Sequence, residues 1–342
     1  MAARRGDTLL FPMPPVVAAH AAIGGKKEGE GPLAACFDAL SADNFFGQSS
    51  WEAAEKELAL QTARLCLKKA QTIPEKVSLV LAGDLQAQCT ASSYAMRELG
   101  IPFAGLFGAC STMAEALGLG AALCSAGMAD GLLAMTSSHF CAAERQFRTP
   151  LSYGAVRTPT AQWTATAAGA CLLRPAGEGV QLCAVTFGRV QDYKIKDINN
   201  MGAAMAPAAA ATLLRYLKDT GSAPEDFDRI YTGDLGHVGS QLLRDLLAAE
   251  GLLLKNHVDC GSLLYDAEGQ SVHSGASGPG CCAAVLCGHL LPRLERRGQR
   301  RVLFLATGAL MSQTTFLQKE SIPAISHLVE LAAPEEQNGG IT

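Results

Sequence analysis

The stretch Leu106-Phe107-Gly108-Ala109-Cys110-Ser111-Thr112 follows a short β-prone run and opens a long, nearly uncharged segment of helical character. A cysteine at such a strand-to-helix bend is expected at the N-terminus of the helix, where Ser111 and Thr112 can cap the first turn. The positive end of the helix dipole would then favour the thiolate of Cys110. The free backbone N–H groups would also attract an anion. The bend therefore predicts either an acyl-accepting cysteine or a binding site for a small anion.

The composition is typical of a large globular protein, with 342 residues of which 49% are hydrophobic and 18% charged. A formal net charge of −4 leaves no basic surplus to neutralise phosphates, which argues against a nucleic-acid partner. The twelve cysteines show no zinc-type spacing, and most stand in apolar runs, as buried thiols do in a reducing compartment. Prolines interrupt the apolar run at 9–17, and no window forms a span of about 20 apolar residues, so neither a signal peptide nor a transmembrane segment is predicted.

An internal repeat indicates how the chain is organised. The string Leu81-Ala82-Gly83-Asp84-Leu85 recurs as Tyr231-Thr232-Gly233-Asp234-Leu235, and Gly108-Ala109-Cys110-Ser111 recurs loosely as Pro279-Gly280-Cys281-Cys282. Both copies are followed by helical segments and then by a further buried strand. Strands that alternate with helices twice over predict two α/β halves packed as one body, with the ligand cleft between them at helix N-termini.

The spacing of the repeat gives the expected domain limits. The separation from Cys110 to Thr136 is 26 residues (136 − 110), and that from Cys281 to Thr307 is also 26 (307 − 281). We expect an N-terminal half at 1–176, a C-terminal half at 177–332 and a disordered tail at 333–342.

Three connecting segments have a predicted character. A polar loop at 140–165 is expected to roof the cleft, and the glycine- and lysine-containing segment 24–32 is expected to be an exposed, flexible loop. The second half has 47 residues between its aspartate and its cysteine where the first half has 26, an excess of 21 (47 − 26). We assign most of that excess to a hairpin at 259–275.

Two duplicated α/β halves with a cysteine at such a bend resemble the thiolase-like fold, a layered α-β-α-β-α body found in thiolases and ketoacyl synthases and usually homodimeric. Longer strings resemble the stage V sporulation protein AD family. They are Phe107-Gly108-Ala109-Cys110-Ser111-Thr112, Ala143-Glu144-Arg145-Gln146-Phe147-Arg148, Met201-Gly202-Ala203-Ala204-Met205-Ala206-Pro207, Leu305-Ala306-Thr307-Gly308-Ala309-Leu310 and Gln318-Lys319-Glu320-Ser321-Ile322-Pro323.

This family resemblance implies a function. It implies a non-enzymatic protein of endospore formers that binds dipicolinic acid, the pyridine dicarboxylate stored with calcium in the spore core. The protein would work with membrane-embedded and soluble SpoVA-type partner proteins, peripheral to the inner spore membrane. There it would act in the uptake of dipicolinic acid into the developing spore and in its release at germination.

The residues themselves bear on whether the cysteine is catalytic. A condensing or thiolytic enzyme of this fold needs a base and oxyanion donors, usually His with His or His with Asn. The expected His position falls at or near Asp234, and a carboxylate there would raise the pKa of a nearby thiol. His237 is the candidate for a displaced base, and the loop 277–280 contains neither His nor Asn. We therefore predict a non-catalytic protein. The alternative is a thiolase- or ketoacyl-synthase-like acyltransferase with Cys110 as its nucleophile.

A dipicolinate site should offer helix N–H groups, cations and an apolar slot, because the ligand is a flat dianion. The residues that we expect to bind it are Asp84, Cys110, Ser111, Thr112, His139, Arg145, Arg148, Asp234 and Gly308. Asp84 and Asp234 are unusual beside an anion: they would hold a calcium ion that travels with the ligand, orient donors, or cap helices. We expect no cofactor and no resident metal.

Overall fold

The computed structural model describes residues 2–147 and 157–335. The strands are β1 (Ala3–Arg5), β2 (Thr8–Leu10), β3 (Val16–Gly24), β4 (Ala39–Leu40), β5 (Leu79–Gly83), β6 (Phe103–Gly105), β7 (Leu132–Ser138), β8 (Trp163–Thr164), β9 (Ala167–Arg174), β10 (Val180–Thr186), β11 (Arg229–Thr232), β12 (His257–Asp259), β13 (Ala276–Ser277), β14 (Arg301–Ala309) and β15 (Ala324–Ala332). The α-helices are α1 (Trp51–Lys69), α2 (Thr90–Leu99), α3 (Thr112–Ser125), α4 (Phe140–Phe147), α5 (Met201–Thr220), α6 (Gly236–Ala249), α7 (Cys260–Leu264), α8 (Pro279–Val285), α9 (Leu291–Glu295) and α10 (Gln313–Leu317).

The principal sheet has a symmetric strand order. Its main path runs β12-β11-β14-β15-β10-β3-β9-β7-β5-β6, with β1, β2 and β4 off this path, so each first-half strand on the path has a counterpart at the same distance from the centre. The counterparts are β6 and β12, β5 and β11, β7 and β14, β9 and β15, and β3 and β10. At the centre, β3 and β10 pair antiparallel. The predicted internal repeat of two α/β halves is confirmed. The predicted boundary between 176 and 177 falls in the connection from β9 to β10, and the division into two domains stays a prediction.

The helices form layers on and between the two halves of the sheet. Helices α1 and α2 pack on the strands of the first half, α5 packs on β14 and β15 of the second, and α6 packs on α5 and β12. Helix α3 contacts β5, β7 and β9 as well as β14 and β15, so it lies between the halves. A helix enclosed on all sides must be apolar all round, and Glu115 is the one charged residue of α3.

Two glycines of α3 permit this close packing. A Cβ atom at Gly118 would lie 2.5 Å from Val185 in the second half, and one at Gly120 would lie 2.6 Å from Leu173 in the first. Larger side chains at these positions would push the strands of one half or the other away from the helix.

The segment 24–32 differs from the exposed loop that the sequence predicted. Its Glu28 is buried, with 1% of its surface exposed, and the carboxylate accepts hydrogen bonds from the hydroxyl of Tyr265 and, at 2.9 Å, from the backbone N–H of Thr166. Lys27 donates its Nζ to the carbonyl of Gln270 at 2.8 Å, and the amide of Gln270 donates to the carbonyl of Lys27 at 2.8 Å. The segment therefore packs a buried carboxylate against the second half.

Three further expectations need correction. The hairpin predicted at 259–275 is wrong, because β12 ends at Asp259 and the chain continues as helix α7 and a series of turns. The segment 140–165 begins as helix α4 and ends with β8, which pairs with β13, while residues 148–156 lie outside the described residues. The start of the predicted disordered tail is hydrogen-bonded, since Ala333 N donates to Arg300 O at 2.8 Å, and 336–342 lie outside the described residues.

No helix in the described parts of the chain is both long and apolar enough to cross a membrane.

Candidate functional site

The bend before α3 has a strained and closely packed backbone. Ala109 adopts a left-handed conformation with φ of 50°, which costs a residue with a Cβ atom about 1 kcal/mol and reverses the chain just before Cys110. On the opposite side, Gly308 of β14 packs directly against the bend. A Cβ atom at Gly308 would lie 2.2 Å from the carbonyl oxygen of Gly108 and 3.1 Å from the backbone nitrogen of Ser111. Gly308, a predicted site residue, can thus pack against the bend because it has no side chain.

Ser111 and Thr112 stabilise the bend itself. The Ser111 hydroxyl donates to the carbonyl of Gly108 at 2.6 Å, and the Thr112 hydroxyl donates to the carbonyl of Ala109 at 2.7 Å. Both side chains are buried, and no side-chain cap is formed at the N-terminus of α3. The predicted capping role is therefore wrong. Neither residue lines the cleft that the bend borders.

A cleft of about 560 Å³, including the part open to solvent, lies between the two halves at Cys110. The apolar lining residues are Leu85, Ala109, Phe147, Met201, Met205, Ala309 and Met311, and the polar ones are Cys110, Gln146, Gln162, Thr164, Asp234 and Ser277. The predicted position of the cleft between the halves is confirmed, and α4 of the predicted roof contributes Gln146 and Phe147 to its wall.

Asp234 lies beside Cys110 in this cleft and is fully buried. Its Oδ1 accepts a hydrogen bond of 2.8 Å from the Thr307 hydroxyl, and its Oδ2 accepts one of 3.1 Å from the backbone N–H of Gly278. The Cys110 thiol neighbours this carboxylate and acts to lower its pKa. The backbone carbonyl of Asp234 accepts a hydrogen bond from the Gln162 amide. The repeat therefore identified two residues, one from each half, that the structure brings together.

The pair formed by Cys110 and Asp234 holds its proton on sulfur. Burial raises the pKa of Cys110 well above the usual range for a thiol, and the neighbouring carboxylate of Asp234 raises it further. Burial also raises the pKa of Asp234, to about 6. The predicted effect of the carboxylate is confirmed, whereas the thiolate predicted from the helix dipole is wrong. At neutral pH Cys110 is a hydrogen-bond donor.

Asp84, the counterpart of Asp234, does not line the cleft. Its carboxylate accepts hydrogen bonds from the backbone and the hydroxyl of Ser92, at 2.8 and 2.7 Å, and from the backbone N–H of Gln86 at 2.9 Å. These bonds hold the turn that follows β5, and the next residue, Leu85, reaches the cleft. Asp84 and Asp234 are therefore not brought together as two ligands of one cation. No group of three His, Cys, Asp or Glu side chains suited to a metal ion occurs among the described residues.

Glu55 of α1 faces Asp84 and gives a testable pH dependence. Burial, together with the charge of Asp84, raises the pKa of Glu55 to about 8, while Gln86 and Ser137 donate to it at 2.8 and 3.1 Å. A carboxyl group whose folded-state pKa is raised stabilises the fold at low pH and loses that contribution as the pH rises to the folded-state value. We expect the free energy of unfolding to fall by about 2 kcal/mol between about pH 6 and about pH 8, and less so in Glu55→Gln.

Chemical denaturation at several pH values would measure this effect. Glu57→Gln is the matched control, because Glu57 lies on the same helix and its side chain is 18% exposed. An equal pH slope in the wild type and in Glu55→Gln would contradict the assignment.

Two of the predicted ligand-binding residues, His139 and Arg145, lie away from the cleft. His139 is buried, its Nε2 lies 2.8 Å from the carbonyl of Asn44, and its ring stacks on Trp51. Arg145 forms an ion pair of 2.9 Å with Glu52, and neither residue lines the cleft. Arg148 lies outside the described residues.

His237, the candidate for a displaced base, also lies outside the cleft lining. His237 is exposed on α6, and its backbone N–H donates to the carbonyl of Ser274. Among the described residues that line the cleft, none is a histidine. Sequence reasoning missed Gln162, Thr164 and Met205 as lining residues. Met205 stood within one of the strings of the family resemblance, but its apolar side chain carried no chemical signal.

The fold is shared with enzymes that act on acyl groups. The structure of 3-oxoacyl-[acyl-carrier-protein] synthase III from Aquifex aeolicus matches with a TM-score of 0.57 at 12% sequence identity, covering 93% of this chain and 99% of that chain. The cerulenin-bound structure of OleA from Xanthomonas campestris matches with a TM-score of 0.61 at 16% identity, covering 96% and 99%. The predicted thiolase-like fold is confirmed by these similarities.

The sequence comparisons give a narrower result. The stage V sporulation protein AD of Bacillus subtilis is 40% identical to this chain over 322 residues, which cover 94% of this chain and 95% of that protein. The family model described as stage V sporulation protein AD matches residues 5–332. A thiolase-like body whose cysteine faces an aspartate, together with these matches, identifies the chain as a member of the stage V sporulation protein AD family.

Proposed function

We propose that this sporulation protein binds dipicolinic acid in the cleft beside Cys110 and performs no covalent catalysis. The pair formed by Cys110 and Asp234 carries the proposal. A nucleophilic cysteine needs a neighbour that removes its proton and stabilises the thiolate. Here the neighbour is a carboxylate that raises the pKa of the thiol, so the same two groups are suited to hold a ligand by hydrogen bonds.

The surroundings of the pair favour a small anion with a flat ring. Helix α3, of 14 residues, begins just after Cys110, and helix α5, of 20 residues, begins at Met201 in the cleft wall. The N-terminus of a helix carries roughly half a positive elementary charge, so each of these helices favours an anion near its first turn. Apolar side chains such as Leu85, Phe147 and Met205 provide the walls for a ring.

The proposed role in the spore follows from the family. The protein would act in the uptake of dipicolinic acid into the developing spore and in its release at germination, peripheral to the inner spore membrane. Its partners would be membrane-embedded and soluble SpoVA-type proteins. A homodimer is part of the proposal, supported by the open edge of β6 and by Phe107 next to it, which is 63% exposed.

Calorimetric titration of the purified protein with dipicolinate tests the proposal. We expect saturable binding by the wild type and a loss of about tenfold or more in Arg148→Ala, because a cation that pairs with a carboxylate contributes about 1.5–3 kcal/mol. Arg145→Ala is the matched control. It should bind within about twofold of the wild type, since Arg145 pairs with Glu52 outside the cleft lining. A parallel titration with equimolar calcium would show whether the chelate binds more tightly than the free dianion.

The acyltransferase alternative makes a different prediction. An enzyme that uses Cys110 would gain the mass of an acyl group on incubation with an acyl-CoA, lose that gain in Cys110→Ala and turn over a second substrate. Acylation of this kind without saturable binding of dipicolinate would contradict the proposed function.

A further inference from the structure

We propose that the cleft takes up its carboxylate ligand together with a proton, and that Asp234 holds this proton in the complex. The inference rests on the proposed function and specifies how a site that contains a buried carboxylate accepts an anion. Asp234 is fully buried in the wall of the cleft, so a ligand carboxylate beside Cys110 would place its charge next to a carboxylate that water does not screen.

Among the described residues, neutral dipoles stabilise the charge of Asp234. Its oxygens accept hydrogen bonds from the Thr307 hydroxyl and the Gly278 N–H, the Cys110 thiol lies beside them, and none of these groups carries a positive charge. Within the parts of the chain that the structure describes, no Lys, Arg or His lines the cleft. The ligand carboxylate beside Asp234 would add a negative charge that no cation among those residues compensates, whereas Arg148, in the proposed function, pairs with the other carboxylate of the ligand. Two carboxylates in one site strongly favour protonation of one of them.

The other titratable groups around Asp234 also provide no positive charge to stabilise a second carboxylate in the cleft. The bend contributes Cys110, the end of β12 contributes Asp259, α7 contributes Cys260, and α8 contributes Cys281 and Cys282. Each of these groups is either neutral or negatively charged. They therefore oppose a second negative charge in the cleft and favour the neutral carboxylic acid of Asp234.

Protonation would turn Asp234 from an acceptor into a donor. The carboxylic acid O–H would donate to the ligand carboxylate, and such O–H···O⁻ hydrogen bonds are short and strong. The proton comes from the solvent, so one ligand dianion and one proton enter the cleft and no covalent bond other than the new O–H bond is formed. Burial already raises the pKa of Asp234 to about 6, which brings this protonation close to neutral pH.

Calorimetric titration of the wild type with dipicolinate counts the protons directly. The titration is run at about pH 7.5 in two buffers that differ in their enthalpy of ionisation. We expect an uptake that approaches one proton per ligand and an affinity that falls about tenfold for each pH unit above about 6. Asp234→Asn should abolish the proton uptake and flatten the pH dependence. Asp84→Asn changes the counterpart aspartate outside the cleft lining and should retain both.

The outcomes separate this inference from the proposed function. Binding with neither uptake nor release of protons, and with the same affinity across the pH range, would overturn the inference and leave the proposed function standing. Proton uptake that persists in Asp234→Asn would assign the proton to another group and would also overturn it. Absence of binding at every pH would overturn the proposed function itself. Should Asp234→Asn fail to fold, the proton count of the wild type still decides the question.

Discussion

Replacement of Gly308 by alanine should destabilise the protein by about 3 kcal/mol and disrupt the cleft. The added Cβ atom would lie 2.2 Å from the carbonyl oxygen of Gly108, well inside van der Waals contact. Neither backbone segment yields easily. Gly308 lies on β14, which pairs with β11 and β15, and the opposite segment is held by the hydroxyl of Ser111. Chemical denaturation would measure the loss of stability.

The same substitution should weaken ligand binding in the protein that remains folded. Relief of the overlap requires the bend to move away from β14, and that movement separates Cys110 from Ala309 across the cleft. Gly105→Ala in β6 is the matched control, because its Cβ atom would have its nearest contact at 3.4 Å, an ordinary packing distance. We expect this control to change stability by less than about 1 kcal/mol. If Gly308→Ala were as stable as Gly105→Ala, the close packing of the bend against β14 would not be a rigid feature of the site.

The fold was predictable because the chain repeats itself. The equal spacing from Cys110 to Thr136 and from Cys281 to Thr307 corresponds to the path from the start of one central helix to the next strand, β7 or β14, in each half. The hairpin predicted at 259–275 had no such support, since it relied on the length of an insertion alone. Length does not determine the conformation of an insertion that packs its own side chains.

The two aspartates of the repeat, Asp84 and Asp234, show why the sequence alone could not predict the whole site. In the register of the parallel strands, Ala82 lies opposite Gly105 in the first half and Thr232 lies opposite Asp259 in the second. Asp259 thus stands at the position that Gly105, which has no side chain, occupies in the first half. It binds the turn after β11, which leaves Asp234 free to face the cleft.

In the first half, no carboxylate of a neighbouring strand accepts a hydrogen bond from the backbone of the turn after β5 among the described residues. Asp84 therefore binds its own turn through the N–H of Gln86, and it also binds Ser92 of α2. The Gly-Asp-Leu shared by the two strings thus acquired different roles from a difference more than twenty residues away, between Gly105 and Asp259. Only the pairing of the strands reveals that difference.

Asp259→Ala should therefore destabilise the protein by about 4 kcal/mol, since each buried donor left without an acceptor costs about 1–3 kcal/mol. The Asp259 carboxylate accepts hydrogen bonds from the Thr232 hydroxyl at 2.7 Å, from the N–H groups of Leu235 and Gly236 at 2.9 and 2.8 Å, and from that of Ser262 at 3.0 Å. Its loss frees the turn that holds Asp234. Denaturant unfolding would measure the loss of stability.

Asp266→Ala is the matched control for Asp259→Ala. The Asp266 carboxylate also accepts hydrogen bonds from backbone N–H groups, those of Glu268 and Gly269, both at 3.2 Å, but it is exposed and water can replace it. We expect the control to lose less than about 1 kcal/mol. Any folded Asp259→Ala protein should also bind dipicolinate with less proton uptake, because Asp234 would turn toward the donors that Asp259 has vacated. Equal stability of the two variants would contradict the view that Asp259 determines which of the two repeated aspartates faces the ligand.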